Sequence, residues 1–116
     1  MSHREPTLLT TISYDGRWKL SLRGEVDAAA RRDLCQIAEM VSEDGDPIDF
    51  DLGAVRFVDK SGWAAICAAA DVVRRAGVEA RVVNPSRAVR RLTDLLKAAH
   101  PSRACQPEVP RLAPVA

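Results

Sequence analysis

The sequence predicts an α/β fold: a small sheet opened by an antiparallel hairpin, then parallel βα units with about three helices. Three observations predict it. The pair Asp15-Gly16 separates two β-prone runs, and Asp-Gly suits a two-residue hairpin because both turn positions take positive φ. Beyond the hairpin, segments alternating with period two exchange with segments whose apolar residues recur every three or four positions. The units are short enough for right-handed parallel crossovers within one layered domain.

Each element follows in order. The first strand is expected over Thr7 to Ile12, with the turn at Tyr14-Asp15-Gly16-Arg17. Trp18, Leu20 and Leu22 then alternate with Lys19, Ser21 and Arg23, a second strand with one buried face that Gly24 ends. Asp27 stands before Ala28-Ala29-Ala30 as an N-cap, where its carboxylate accepts from free backbone N–H groups. The first helix runs from about Ala28 to Ser42 on an apolar face of Leu34, Ile37, Ala38 and Val41, and Glu43-Asp44-Gly45-Asp46-Pro47 stops it. A third strand is Ile48 to Leu52, followed by Gly53 and a short apolar patch from Val55 to Val58. The second helix extends from about Ser61 to Ala76, with Trp63, Ile66, Cys67, Ala70 and Val73 on one face and Gly77 at the C′ position. Glu79 to Val83 is the fourth strand. Asn84-Pro85 opens the third helix as cap and first-turn proline, and Val89, Leu92 and Leu96 form its stripe. Residues 1–6 are then a flexible N-terminus and 7–100 the domain. Residues 101–116, with four prolines and no periodicity, are expected to be a disordered tail, by composition a plain solvated one, with a weak polyproline ligand at Pro107 to Pro110 as the alternative.

Composition narrows the function. At 116 residues, 47% hydrophobic and 28% charged, the chain reads as one soluble domain. A net charge of +1 supplies no field for nucleic acid or an anionic membrane. The longest uncharged apolar run, Gly62 to Ala70, is far short of a bilayer span. The first residues lack a signal-peptide pattern, so a cytoplasmic domain without direct membrane contact is expected. Three widely spaced cysteines make no disulfide framework. Cys67 reads as a small core hydrophobe, Cys35 adjoins the apolar face of the first helix, and Cys105, in the tail, is a candidate for redox pairing with another thiol.

Catalysis and cofactors are not expected. His3 and His100 lie at the two ends and cannot complete a metal set or a nucleophile–base pair. The six glycines are scattered, so no loop cradles phosphate. Asp49 and Asp51 share a strand face and read as the polar half of an alternation rather than an acid–base pair. Glu25 and Asp27 flank a helix start, where the dipole favours carboxylates. Charge is unevenly spread: from Glu25 to Asp51 there are nine acidic residues and two basic ones, and from Asp71 to His100 the balance reverses. Arg87, Arg90 and Arg91 share a helix face able to hold phosphates, but aromatic interleaving and a helix-turn-helix pattern are absent. Faces of opposite sign suit a protein partner better than nucleic acid.

The most informative stretch runs from Asp51 to Trp63, where a strand and a short loop lead into a helix at Asp59-Lys60-Ser61-Gly62. It resembles the STAS domain of anti-sigma-factor antagonists, with its Asp-Ser-Ser-Gly-Leu signature. Gly24-Glu25-Val26-Asp27 is similar to that family's Gly-Glu-Leu-Asp. Asn84-Pro85-Ser86 with Val89, Arg90, Arg91 and Leu92 is similar to its Ser-Pro-x-Val-x-Arg-Leu. The resemblance covers about Trp18 to Leu96. It implies a STAS-like sheet and a partner switch, in which the unphosphorylated domain binds an anti-sigma factor of ATPase/kinase fold and frees the sigma factor to activate transcription. Phosphorylation of the first Ser of the signature undoes that complex.

Lys60 occupies that serine's position, so control by phosphorylation there is not expected. Lysine takes no phosphate in this chemistry, and its charge is opposite to phosphoserine. Against the helix dipole it costs on the order of 0.3–1 kcal/mol. Ser61 matches the second serine, either as a helix cap or as the remaining phosphorylation candidate. Trp63 replaces a small aliphatic residue, as core or as a partner anchor. The implied partner surface is Asp59, Lys60, Ser61, Gly62 and Trp63, with Glu25 and Asp27 nearby. Where the family adds a further element after the third helix, this chain runs into its proline tail. The resemblance also admits an alternative, a STAS subunit of an ABC-type membrane transporter complex, which needs no phosphoacceptor.

Overall fold

The computed structural model describes residues 8–99. In chain order these form β1 (Leu8–Tyr14), β2 (Arg17–Val26), a 3₁₀ turn (Ala28–Ala30), α1 (Arg31–Ser42), β3 (Ile48–Val58), α2 (Lys60–Arg75), β4 (Ala80–Val83) and α3 (Arg87–Ala99). One sheet of order β1-β2-β3-β4 results, antiparallel between β1 and β2 and parallel elsewhere. The expected α/β class and its opening hairpin are therefore observed. Asp15 and Gly16 both take positive φ, 54° and 70°, as the two-residue turn requires.

Period two in the strands becomes a two-faced sheet. Leu20 and Leu22 of β2, Ile48, Phe50 and Leu52 of β3, and Ala80 and Val82 of β4 are buried in one cluster. Leu34, Ala38 and Val41 of α1 and Trp63, Ile66, Ala70 and Val73 of α2 complete it. Small residues at Ala65, Ala69 and Ala70 let α2 approach its neighbours closely. The opposite sheet face is polar: Asp49 is clamped by Arg17 and Arg81, each at 3.0 Å, and Asp51 pairs with Lys19 at 3.2 Å. Helix α2 ends on Gly77, φ 81°. There the Gly77 N–H donates to the Arg74 carbonyl at 2.9 Å and the Val78 N–H to the Val73 carbonyl at 3.2 Å, which is a Schellman motif.

The structure corrects four local expectations. Gly24 does not end β2; at φ 93° it sits where the β2–β3 register slips, and the strand continues to Val26. A glycine that permits such a bulge continues the ladder where a turn glycine would end it. The patch from Val55 to Val58 is likewise no loop but the second half of β3, paired with β2. The first helix begins as a 3₁₀ turn, although Asp27 caps it as expected by accepting from the Ala29 N–H at 3.0 Å. The third helix is capped by Ser86, whose hydroxyl accepts from the Val89 N–H at 3.2 Å. Asn84 instead takes a left-handed turn, φ 51°, and its amide donates to Asp51 at 3.3 Å.

Cys67 lies on the buried face of α2 but is disulfide-bonded, so it is not the plain core thiol expected. Cys35 is a free thiol, and burial pushes its pKa up, with Arg31 opposing and Glu39 adding to the rise. His3, His100, Cys105 and the proline tail lie outside the described residues.

Candidate functional site

Strands β2 and β3 run parallel and end side by side, Val26 opposite Val58. The segments that leave them, Asp27 and Asp59-Lys60-Ser61-Gly62, therefore emerge on the same crest. In open parallel sheets the carboxyl ends of the strands are where binding sites collect, because the chain there is free to vary while the strands hold its ends.

The second of these segments is locally determined. Asp59 is extended, φ −105° and ψ −177°, and caps α2 by accepting from the Gly62 N–H at 2.7 Å. The Ser61 hydroxyl donates to the same carboxylate oxygen at 2.8 Å. Ser61 is therefore not the cap; it is a ligand of the cap. Gly62 is required by tertiary contact rather than by φ. A Cβ there would fall on the Val26 carbonyl, 2.6 Å from its carbon, and 3.1 Å from the Asp27 nitrogen. The first turn of α2 thus lies against the backbone that joins β2 to the 3₁₀ turn. This contact brings the two sequence motifs, Glu25-Val26-Asp27 and Asp59-Lys60-Ser61-Gly62, into one site.

The side chains divide by exposure. Lys60 and Ser61 are exposed, Glu25, Asp27 and Asp59 are half-buried, and Gly62 is buried. Trp63 is only 2% exposed and belongs to the core cluster. Of its two expected roles it fills the first: it anchors the helix start from beneath. Asp49 and Asp51 do not join this site; their arginine and lysine partners account for them. Among the described residues, no group of three His, Cys, Asp or Glu side chains is placed to hold a metal ion. No helix among them is long and apolar enough to cross a membrane.

Sequence reasoning missed a feature beside the crest. The C-terminal half of β3 and α3 enclose a groove of about 650 Å³. Arg87 and Arg91, singled out in the sequence as members of a charged face, line it together with Leu95. The available signal was Leu95 itself, an apolar residue outside the Val89–Leu92–Leu96 stripe.

Known proteins share both the sequence pattern and the fold. A family model described as STAS domain matches residues 10–104. The structure is similar to that of an anti-sigma factor antagonist from Mycobacterium paratuberculosis, with 26% identity over 87% of this chain and 88% of that one, TM-score 0.66. An antisigma-factor antagonist STAS domain from Rhodobacter sphaeroides shares the fold at 20% identity, over 72% of this chain and 95% of that one, TM-score 0.59. So does the anti-sigma factor antagonist SpoIIAA in its unphosphorylated form, at 18% identity over 78% and 79% of the two chains, TM-score 0.59. No curated protein sequence matches the chain.

Proposed function

This chain belongs to the STAS domain family, and from that premise we propose that it is an anti-sigma factor antagonist. It acts as a binding module without catalysis of its own, engaging an anti-sigma factor of ATPase/kinase fold in the cytoplasm and freeing the sigma factor for transcription. The observation that best supports this reading is the crest. Gly62, packed on the Val26–Asp27 backbone, presents Lys60 and Ser61 to solvent beside Glu25 and Asp27. Asp59, Lys60 and Ser61 with Glu25 and Asp27 form the docking surface, while Gly62 and Trp63 hold it from below.

Regulation departs from phosphorylation at the usual position, because Lys60 offers no hydroxyl. Ser61 is a poor substitute. Its proton already goes to the Asp59 carboxylate, and a phosphate would set about −1.5 to −2 charges against that group. Docking is therefore constitutive with respect to this loop.

The test begins with capture on the purified domain from source-cell lysate, with ATP and with ADP. Recovery of an ATPase-fold anti-sigma factor supports the reading; recovery of transporter components instead overturns it. With that partner in hand, Lys60→Glu should weaken binding by about tenfold or more, since reversing a charge at an interface is costly, while a cooperative melt no less stable than the parent's shows that the fold is kept. Unaltered affinity would move the interface off the crest. Lys60→Ser should acquire one phosphate, read by intact mass after incubation with partner and ATP. Retained binding without phosphate would exclude a kinase partner.

A further inference from the structure

Strand β4 stops at Val83 while β3 continues to Val58, so the last residues of β3 have α3 beside them in place of a strand. The two elements do not close on each other. The groove between them, about 650 Å³, has Val55, Val58, Ala88 and Leu92 among its lining residues. Its floor is buried, with Val55 at 2% and Val58 at 7% exposure, but its lips are not: Phe57 is 41% and Leu95 62% exposed. An aromatic ring and a leucine at the lips of one open apolar groove mark an interaction surface rather than scattered surface residues.

The rim is basic. Arg56, Arg87 and Arg91 line the groove, and among the described residues no acidic side chain does. Arg87 and Arg91 stand one helical turn apart on α3, both exposed, and neither forms an ion pair among the described residues. Val58 immediately precedes Asp59 and Lys60, so the groove runs into the crest and one partner can cover both.

We propose that this groove docks an acidic amphipathic segment of a protein partner. Its apolar residues lie against Phe57, Leu92 and Leu95, and its carboxylates face Arg87 and Arg91. The proposal rests on the antagonist reading only in taking that partner to be the anti-sigma factor. Charge complementarity selects this occupant over the chain's own residues 100–116, where Arg103 and Arg111 outnumber Glu108.

The probe is a synthetic helix-forming peptide with leucines at i, i+3, i+4 and i+7 and glutamates on the flanking positions. Its binding to the full chain is read by fluorescence anisotropy. The double variant Arg87→Glu/Arg91→Glu and the single variant Leu95→Ser should each weaken it by about tenfold or more. All three positions are exposed, and thermal melting verifies that the fold is kept. A peptide with lysines for glutamates should prefer the double variant. Equal binding of both peptides to the unmodified chain, or binding that neither variant changes, overturns the proposal. So does self-association abolished by the double variant, which would make a second copy the occupant. If an anti-sigma factor is captured and the double variant and Leu95→Ser bind it undiminished, the groove proposal fails and the antagonist reading stands. If the acidic peptide binds as expected and no anti-sigma factor is captured, the groove stands and that reading fails.

Discussion

Gly62 decides whether the crest exists, because its missing side chain is what lets α2 start against the end of β2. The atoms that a Cβ would strike are backbone atoms of Val26 and Asp27, which cannot swing aside as a flexible side chain would. Gly62→Ala should therefore destabilise the domain by about 1–3 kcal/mol, the usual cost of overpacking, measured by denaturant unfolding. It should also weaken partner binding, because the two motif segments must separate. Full stability in this variant would show that the helix start shifts freely. Trp63, next in sequence, contributes by its bulk where Gly62 contributes by having none. It fills the core, and its exposure of 2% leaves it no face for a partner.

At the scale of elements, the polar face of the sheet is tied across three strands. Asp49 of β3 accepts from Arg17 of β2 and from Arg81 of β4, with bonds of 3.0–3.3 Å to two nitrogens of each guanidinium. Burial alone would raise its pKa, but these hydrogen bonds and charges outweigh burial and hold the carboxyl below its ordinary value. Folding thus favours the ionised form. The contribution is complete above the unfolded value of about 3.9 and is lost as pH falls through the lower folded value. Asp49→Asn should lower stability at neutral pH and soften the dependence of stability on pH below about pH 4. Stability of the two proteins should converge at strongly acidic pH. A pH profile parallel to that of the parent chain would mean that other carboxylates dominate acid unfolding.

For the whole molecule, the folded chain redistributes the charge seen in the sequence. Two of the nine acidic residues between Glu25 and Asp51, Asp49 and Asp51, are ion-paired across the sheet. The acidic surplus is therefore smaller than the sequence suggests, while Arg87 and Arg91 of the groove remain exposed to solvent. A partner steered by this field should associate more slowly as salt rises from about 0.01 M to about 0.15 M, where the screening length falls from about 30 to about 8 Å. Stopped-flow association rates measure this. Rates independent of salt would assign the interface to apolar contacts alone.

The sequence by itself determined what local chemistry dictates. The Asp15-Gly16 turn, the Asp27 cap and the Gly77 terminus are satisfied by neighbours within a few residues, and period two in β2 and β3 is an alternation of consecutive side chains, so each was legible in order of reading. The Asp59-Lys60-Ser61-Gly62 motif was legible as a motif for the same reason. Tertiary structure alone decided whether Gly24 and Gly53 end their strands or carry them onward, because that depends on the partner strand. It decided that Ser86 rather than Asn84 caps α3, since Asn84 is drawn away by Asp51, thirty-three residues earlier. It also placed Trp63 in the core and opened the groove between β3 and α3. Burial and approach between segments distant in the chain are set by how the layers pack, and hydrophobic periodicity reports only which face is apolar, not what will meet it.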